Sequence, residues 1–250
     1  MIRRVVAGTL LLACCARGPR ELDVAAAISL TEALAEVAHA WEAQGGEHVV
    51  FTFAGSNVLA RQIQAGAPVD VFLSADERTA ASIKDSLEAR QSLLENTLVV
   101  VSDRPMTSLR DLLPLARIAI GDPNAVPAGV YAKQALQRAG MYEAVEPKLV
   151  PCENVRAALA LVESGGADAA FVYATDARLA KRTRIALTLP EPVTYPIAVV
   201  KGAKHAKAAR RFVEYCQSDA AMRIFIARGF RPAFSKTADT TSTPPARSRS

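Results

Sequence analysis

The sequence predicts an α/β fold built from mostly parallel sheets flanked by helices. Three observations predict it. Short apolar runs alternate with helix-period segments from about residue 21 to residue 230. Twice, a strand-like run delivers a serine to the start of a helical pattern: residues 22–28 lead to Ser29, and residues 49–55 lead to Ser56, 27 positions later. Half of the 250 residues are hydrophobic while aromatics make up 6%, a composition that suits alanine-lined helices packed closely on a sheet.

Residues 22–28 form the first strand. Residues 29–43 form a helix, with Leu30, Leu34, Val37 and Trp41 at helical spacing. The second strand precedes a helix over 58–65, which Gly66 ends. Residues 69–73 are a short strand, and Ser74-Ala75-Asp76-Glu77 after it reads as a capping box. Strands follow at 98–102 and 118–121. A helix over 128–139 opens behind Pro127 and stops at Gly140. Residues 148–152 are a strand, and 154–163 a helix closed by Ser164-Gly165-Gly166. Strands at 169–173, 185–189 and 195–200 and helices at 206–217 and 220–228 complete the alternation. Open sheets of this kind bind ligands at the carboxyl ends of their strands, where both serines fall.

The net charge of +5 belongs to the ends. Residues 1–20 carry Arg3, Arg4, Arg17 and Arg20 and no acid, and residues 236–250 carry three bases against Asp239. Without them the 30 bases and 25 acids reduce to a body near −1, so the basic balance is no argument for nucleic-acid binding. Arg3 and Arg4 followed by a short apolar stretch to Ala13 read as an export signal over residues 1–20. Leu11-Leu12-Ala13-Cys14 resembles a lipoprotein cleavage box, with Cys14 as the lipidated residue and an ordinary cleaved signal as the alternative. Of the remaining cysteines, Cys152 and Cys216 are expected to be buried, unpaired thiols. Residues 236–250 hold almost no apolar side chain and are expected to be disordered.

A strand that delivers a hydroxyl to a helix N-terminus makes an anion site, because first-turn N–H groups lack intrahelical acceptors and the macrodipole adds positive potential. The local alternative for Ser29 is capping, since Ser29 and Glu32 fit S-x-x-E. Ser56 has Leu59 in that place. Arg61 and Arg156 lie past the first turn of their helices and read as surface or interlobe residues. Asp70, Asp76 and Asp122 read as caps or braces, and His39, His48 and His205 as solvated. No G-x-S-x-G, H-E-x-x-H, P-loop or G-x-G-x-x-G is present, which favours a binding protein over an enzyme on the same fold or a regulator's sensing domain.

Longer blocks carry a resemblance. Phe53-Ala54-Gly55-Ser56-Asn57-Val58-Leu59, Gly66-Ala67-Pro68-Val69-Asp70-Val71-Phe72-Leu73-Ser74, Gly121-Asp122-Pro123, Asn154-Val155-Arg156-Ala157-Ala158, Phe171-Val172-Tyr173 and Tyr195-Pro196-Ile197 resemble the periplasmic molybdate-binding protein family, in order, over residues 22–232. The resemblance implies a two-lobed, type II solute-binding protein with a ligand cleft between lobes. It implies lobe one at 22–100 plus 195–235, lobe two at 101–194, and closure by hinge bending. It implies binding of molybdate or tungstate through Ser29, Ser56, the backbone N–H groups of Ala128 and Val155, and the Tyr173 hydroxyl. Transfer to the membrane permease of an ABC importer, a monomeric protein and no cofactor follow from it. Molybdate offers acceptors only, so a donor-only site fits it; another tetrahedral oxyanion such as sulfate is the alternative, with cavity size as the filter. Ile28, Asn57 and Cys152 depart from the family pattern near the cleft.

Overall fold

The computed structural model describes residues 21–233. The export signal with Cys14 and the tail over 236–250 lie outside the described residues.

The chain alternates as its periodicity requires. β1 (Glu21–Ala27) runs through a 3₁₀ turn, Ile28–Leu30, into α1 (Thr31–Ala43). β2 (His48–Ala54), α2 (Ser56–Gln64), β3 (Val71–Leu73) and α3 (Glu77–Ser82) follow. β4 (Gln91–Ser102) is long. Next come β5 (Ile118–Gly121), α4 (Pro127–Arg138), the single turn α5 (Tyr142–Val145), β6 (Leu149–Cys152), α6 (Val155–Glu163), β7 (Ala169–Tyr173) and the short α7 (Ala174–Ala177). β8 (Arg184–Val199) returns, and α8 (Ala206–Cys216), α9 (Asp219–Ala227) and the two-residue β9 (Arg231–Pro232) close the described chain.

One sheet runs in the order β2-β1-β3-β8-β4-β7-β5-β6, with β9 paired to β4. The flanks β2-β1-β3 and β6-β5-β7 are parallel. The centre is antiparallel, because β4 carries the chain out of one flank and β8 carries it back. The expectation of mostly parallel sheets therefore holds on the flanks and gives way to a mixed sheet in the middle.

Two sequence boundaries are corrected here. Residues 185–189 and 195–200 are one strand, β8, interrupted by a bulge: Thr97 pairs with Pro192, yet Val99 pairs with Thr188. Pro190 and Pro192 cannot donate to a ladder, so they mimic a strand break in sequence. β4 also begins seven residues before its apolar run at Leu98. Its first half contains Glu95 and Asn96 and pairs with the second half of β8 and with β9.

Each flank has helices against it. Leu34, Val37 and Trp41 of α1 are buried as their spacing requires, and Trp41 meets Phe212 of α8 edge-on at 5.8 Å. Leu159 and Val162 of α6 and Leu136 of α4 cover the other flank. Cys216 is buried, Cys152 is half-buried, and among the described residues neither is in a disulfide. Burial raises the pKa of both thiols. No described helix is long and apolar enough to cross a membrane.

Candidate functional site

The carboxyl ends of both parallel flanks meet at one cavity. Ser29 follows β1, Ser56 follows β2, and Ala75 follows β3; from the other flank come Ala128 at the start of α4, Val155 at the start of α6, and Tyr173 at the end of β7. The structure thus brings together all five residues singled out in the sequence. The centre of a water-sized sphere has about 20 Å³ to move in there, where one water needs about 10–15 Å³. A small ion matches that space; a sugar or peptide does not.

Local chemistry places each donor. Ser56 is the first residue of α2, and the preceding Gly55 offers no capping side chain. Its Oγ accepts the Ala75 N–H at 2.9 Å, so its own hydrogen is free for the cavity. Ser29 lies in the 3₁₀ turn, and its Oγ is 3.0 Å from the Tyr195 hydroxyl. The local capping alternative for Ser29 is not realised: no side chain caps α1, and Glu32 pairs with Arg156 instead. In α6 the Asn154 side chain accepts from the Arg156 and Ala157 N–H groups at 2.9 Å each, leaving the first-turn N–H of Val155 uncapped. α4 starts on Pro127 with no side-chain cap, so Ala128 carries an uncapped first-turn N–H. Gly129 lets α4 seat on β5, since a Cβ there would lie 1.9 Å from the Gly121 carbonyl oxygen.

The Tyr173 hydroxyl reaches the Ala75 carbonyl at a long 3.5 Å, and burial pushes its pKa well above the usual tyrosine value. It therefore stays protonated, and its one hydrogen, held only by that long bond, can turn to a ligand. Among the described residues, no charged side chain lines the cavity. Positive potential comes from the N-terminal ends of α2, α4 and α6, which is the means by which proteins hold anions without cations.

Charges gather beside the cavity and are paired. Arg156 of α6 reaches across to Glu32 of α1 through two bonds, Nη1–Oε1 at 3.1 Å and Nη2–Oε2 at 2.6 Å, and its Nε donates to Asp176. The hydrogen bonds from Arg156 hold Glu32 below the usual carboxylate range. Asp176 is fully buried, one of its oxygens has no hydrogen-bond partner among the described residues, and burial lifts its pKa to about 6 against the pull of Arg156. Arg156 is thus a cross-cleft residue, and Arg61 is on the surface.

The cap of α3 is Asp76, which accepts the Thr79 N–H at 3.1 Å, not Ser74; Ser74 Oγ donates back to the Asp76 carbonyl instead. Burial raises the Asp76 pKa. Asp122 accepts the Asn124 N–H. His39 and His48 are exposed. His205 is not solvated: its backbone N–H and Nδ1 meet the two oxygens of buried Asp70 at 2.9 and 3.0 Å, because that carboxylate needs donors. Of the three departures from the family pattern, Ile28 lines the cavity, while Asn57 and Cys152 do not. Sequence reasoning missed Asn96 and Tyr195, which are buried behind Ser29. A lone asparagine next to the run Leu98-Val99-Val100-Val101 was the available signal.

A family model for bacterial extracellular solute-binding proteins matches residues 22–231. The molybdate-binding protein ModA of Escherichia coli (strain K12) is 42% identical over 228 residues, covering 84% of this chain and 88% of that protein. The putative ABC transporter substrate-binding lipoprotein YvgL of Bacillus subtilis (strain 168) is 35% identical over 223 residues, covering 84% and 85%. Among solved structures, the periplasmic molybdate-binding protein of Azotobacter vinelandii superposes with a TM-score of 0.74 at 25% identity, covering 84% of this chain and 98% of that one.

Proposed function

The chain belongs to the bacterial extracellular solute-binding proteins, among their molybdate-binding members, and from that premise we propose that it captures molybdate outside the cytoplasmic membrane and delivers it to an ABC importer. Tungstate, alike in size and charge, is bound as well. The observation that carries this reading is a small cavity lined by hydroxyls and first-turn amides and, among the described residues, by no charged side chain. An acceptor-only dianion needs donors alone.

In this reading the ligand oxygens are held by the Ser29, Ser56 and Tyr173 hydroxyls and the N–H groups of Ala128 and Val155. Hydrogen bonds to a charged group are worth about 1.5–3 kcal/mol each. Five of them are compatible with sub-micromolar affinity after desolvation and ordering costs are subtracted. The protein performs no chemistry on the ion and uses no cofactor. Residues 22–100 with 195–233 form one lobe, and residues 101–194 the other. They hinge where β4 and β8 cross between the flanks, near the bulge opposite Leu98. The closed form is the one the membrane permease accepts, from a monomer. Export fits the N-terminal signal, and lipidation at Cys14 fits both the cleavage-box pattern and the lipoprotein name of the Bacillus relative.

Calorimetric titration of the purified protein with molybdate and then sulfate tests the reading. One-to-one molybdate binding with little response to sulfate is expected. Sulfate binding of equal or greater strength would move the function to another tetrahedral oxyanion.

A further inference from the structure

We propose that Tyr195, held by Asn96, is a positioning residue that commits the Ser29 hydroxyl to donate into the cavity, so that the site selects fully deprotonated oxyanions over protonated ones such as hydrogen phosphate. The inference rests on the oxyanion-binding reading above and names what sets its polarity.

The hydrogen directions follow from Asn96, whose side chain is buried at the middle of β4. Its Oδ1 accepts the Thr97 N–H at 2.8 Å, which identifies the amide oxygen and leaves Nδ2 facing the site. Nδ2 can only donate. One hydrogen goes to Thr175 Oγ1 at 2.8 Å and the other to the Tyr195 hydroxyl oxygen at 3.3 Å. The Tyr195 hydroxyl therefore accepts from Asn96, and its single hydrogen has Ser29 Oγ, 3.0 Å away, as its acceptor. Burial drives the Tyr195 pKa far upward, so that hydrogen stays in place. Ser29 receives from Tyr195 and keeps its own hydrogen for the cavity. The reverse arrangement, with Ser29 donating to Tyr195, would turn lone pairs toward a dianion. It would leave the Tyr195 hydrogen without an acceptor in the hydrogen bonds that the described residues make there.

Ser56 is arranged alike, because its oxygen already accepts the Ala75 N–H at 2.9 Å. Both serines thus present hydrogens. A ligand that carries its own proton would need a serine to turn its remaining lone pair inward, which points that serine's only hydrogen away from the anion.

Tyr195→Phe removes the hydroxyl and keeps the ring against Tyr173 (5.6 Å) and Phe230 (5.5 Å). The parent, Tyr195→Phe, Ser29→Ala and the double variant are titrated with sodium molybdate, and with inorganic phosphate in competition near neutral pH. Tyr195→Phe is expected to weaken molybdate about tenfold, to shift the molybdate-to-phosphate ratio toward phosphate, and to add nothing once Ser29 is alanine. Equal losses for both anions, or full multiplication of the two effects in the double variant, would overturn the proposal. Failure of the parent to bind molybdate would refute the functional reading instead. The polarity is then read without ligand, by proton NMR. A slowly exchanging Tyr195 hydroxyl proton with a cross-relaxation peak to the Ser29 β-protons supports it, and absence of that peak refutes it.

Discussion

Ser56→Ala separates two tasks carried by one buried oxygen. In the folded protein Ser56 Oγ accepts the Ala75 N–H at 2.9 Å, and the residue is 1% exposed. Its hydrogen is left for the ligand. Losing a donor to a charged group costs about 1.5–3 kcal/mol, which at 1.4 kcal/mol per decade is roughly a 10- to 150-fold rise in Kd for molybdate. Independently, the Ala75 N–H is left buried without an acceptor, at a cost of about 1–3 kcal/mol whether or not ligand is present. For a domain of this size each kcal/mol moves Tm by about 2–4 °C, so the ligand-free variant should melt several degrees lower. Titration calorimetry reads the first effect, and thermal unfolding without ligand reads the second. A lowered Tm with unchanged Kd would refute the reasoning, for it would make Ser56 a brace for the β3–α3 turn and nothing more.

Glu32→Gln removes the charge that Arg156 grips across the cleft, while Asp176 still neutralises the arginine. Glu32 is 37% exposed, so screening limits the loss to about 0.5–1 kcal/mol. If this pair holds the closed form together, molybdate release should quicken about two- to fivefold in stopped-flow displacement; an unchanged rate would make it a local contact only. Glu163 accepts the Thr183 hydroxyl and the N–H groups of Lys181, Arg182 and Thr183, which hold its pKa down at about 2 from 4.5. A depressed folded pKa contributes stability above the unfolded value and loses it as pH falls through the folded one. Glu163→Gln should therefore lower Tm at neutral pH, with the gap closing between about pH 4.5 and 2. A gap independent of pH over that window would rule out the carboxylate as its source.

The parallel flanks were legible because each strand there is a short apolar run followed by a helix start. The centre was not. β8 carries Pro190 and Pro192 inside it, and β4 begins in a polar stretch, so both long strands looked half their length. The site was legible in two different ways. Ser29 and Ser56 stand out locally as hydroxyls at strand–helix junctions. Ala128 and Val155 offer only backbone N–H groups, which leave no trace in side-chain type, and came from the resemblance alone. Tyr195 looked like one more strand aromatic. Its part depends on Asn96, 99 residues away, and local pattern carries no information about a contact set by the pairing of β4 with β8. His205 was misread for the same reason, since its partner Asp70 lies 135 residues away.

The central claim is that a tetrahedral oxyanion sits where the two flanks meet. Anomalous diffraction at the molybdenum edge from crystals grown with molybdate locates the metal directly. The account predicts one peak inside the cavity, within reach of the Ser29, Ser56 and Tyr173 hydroxyls and of the Ala128 and Val155 N–H groups. A peak elsewhere, for instance beside Lys204 and Lys207 on the surface, or no ordered peak at saturating molybdate, would contradict it.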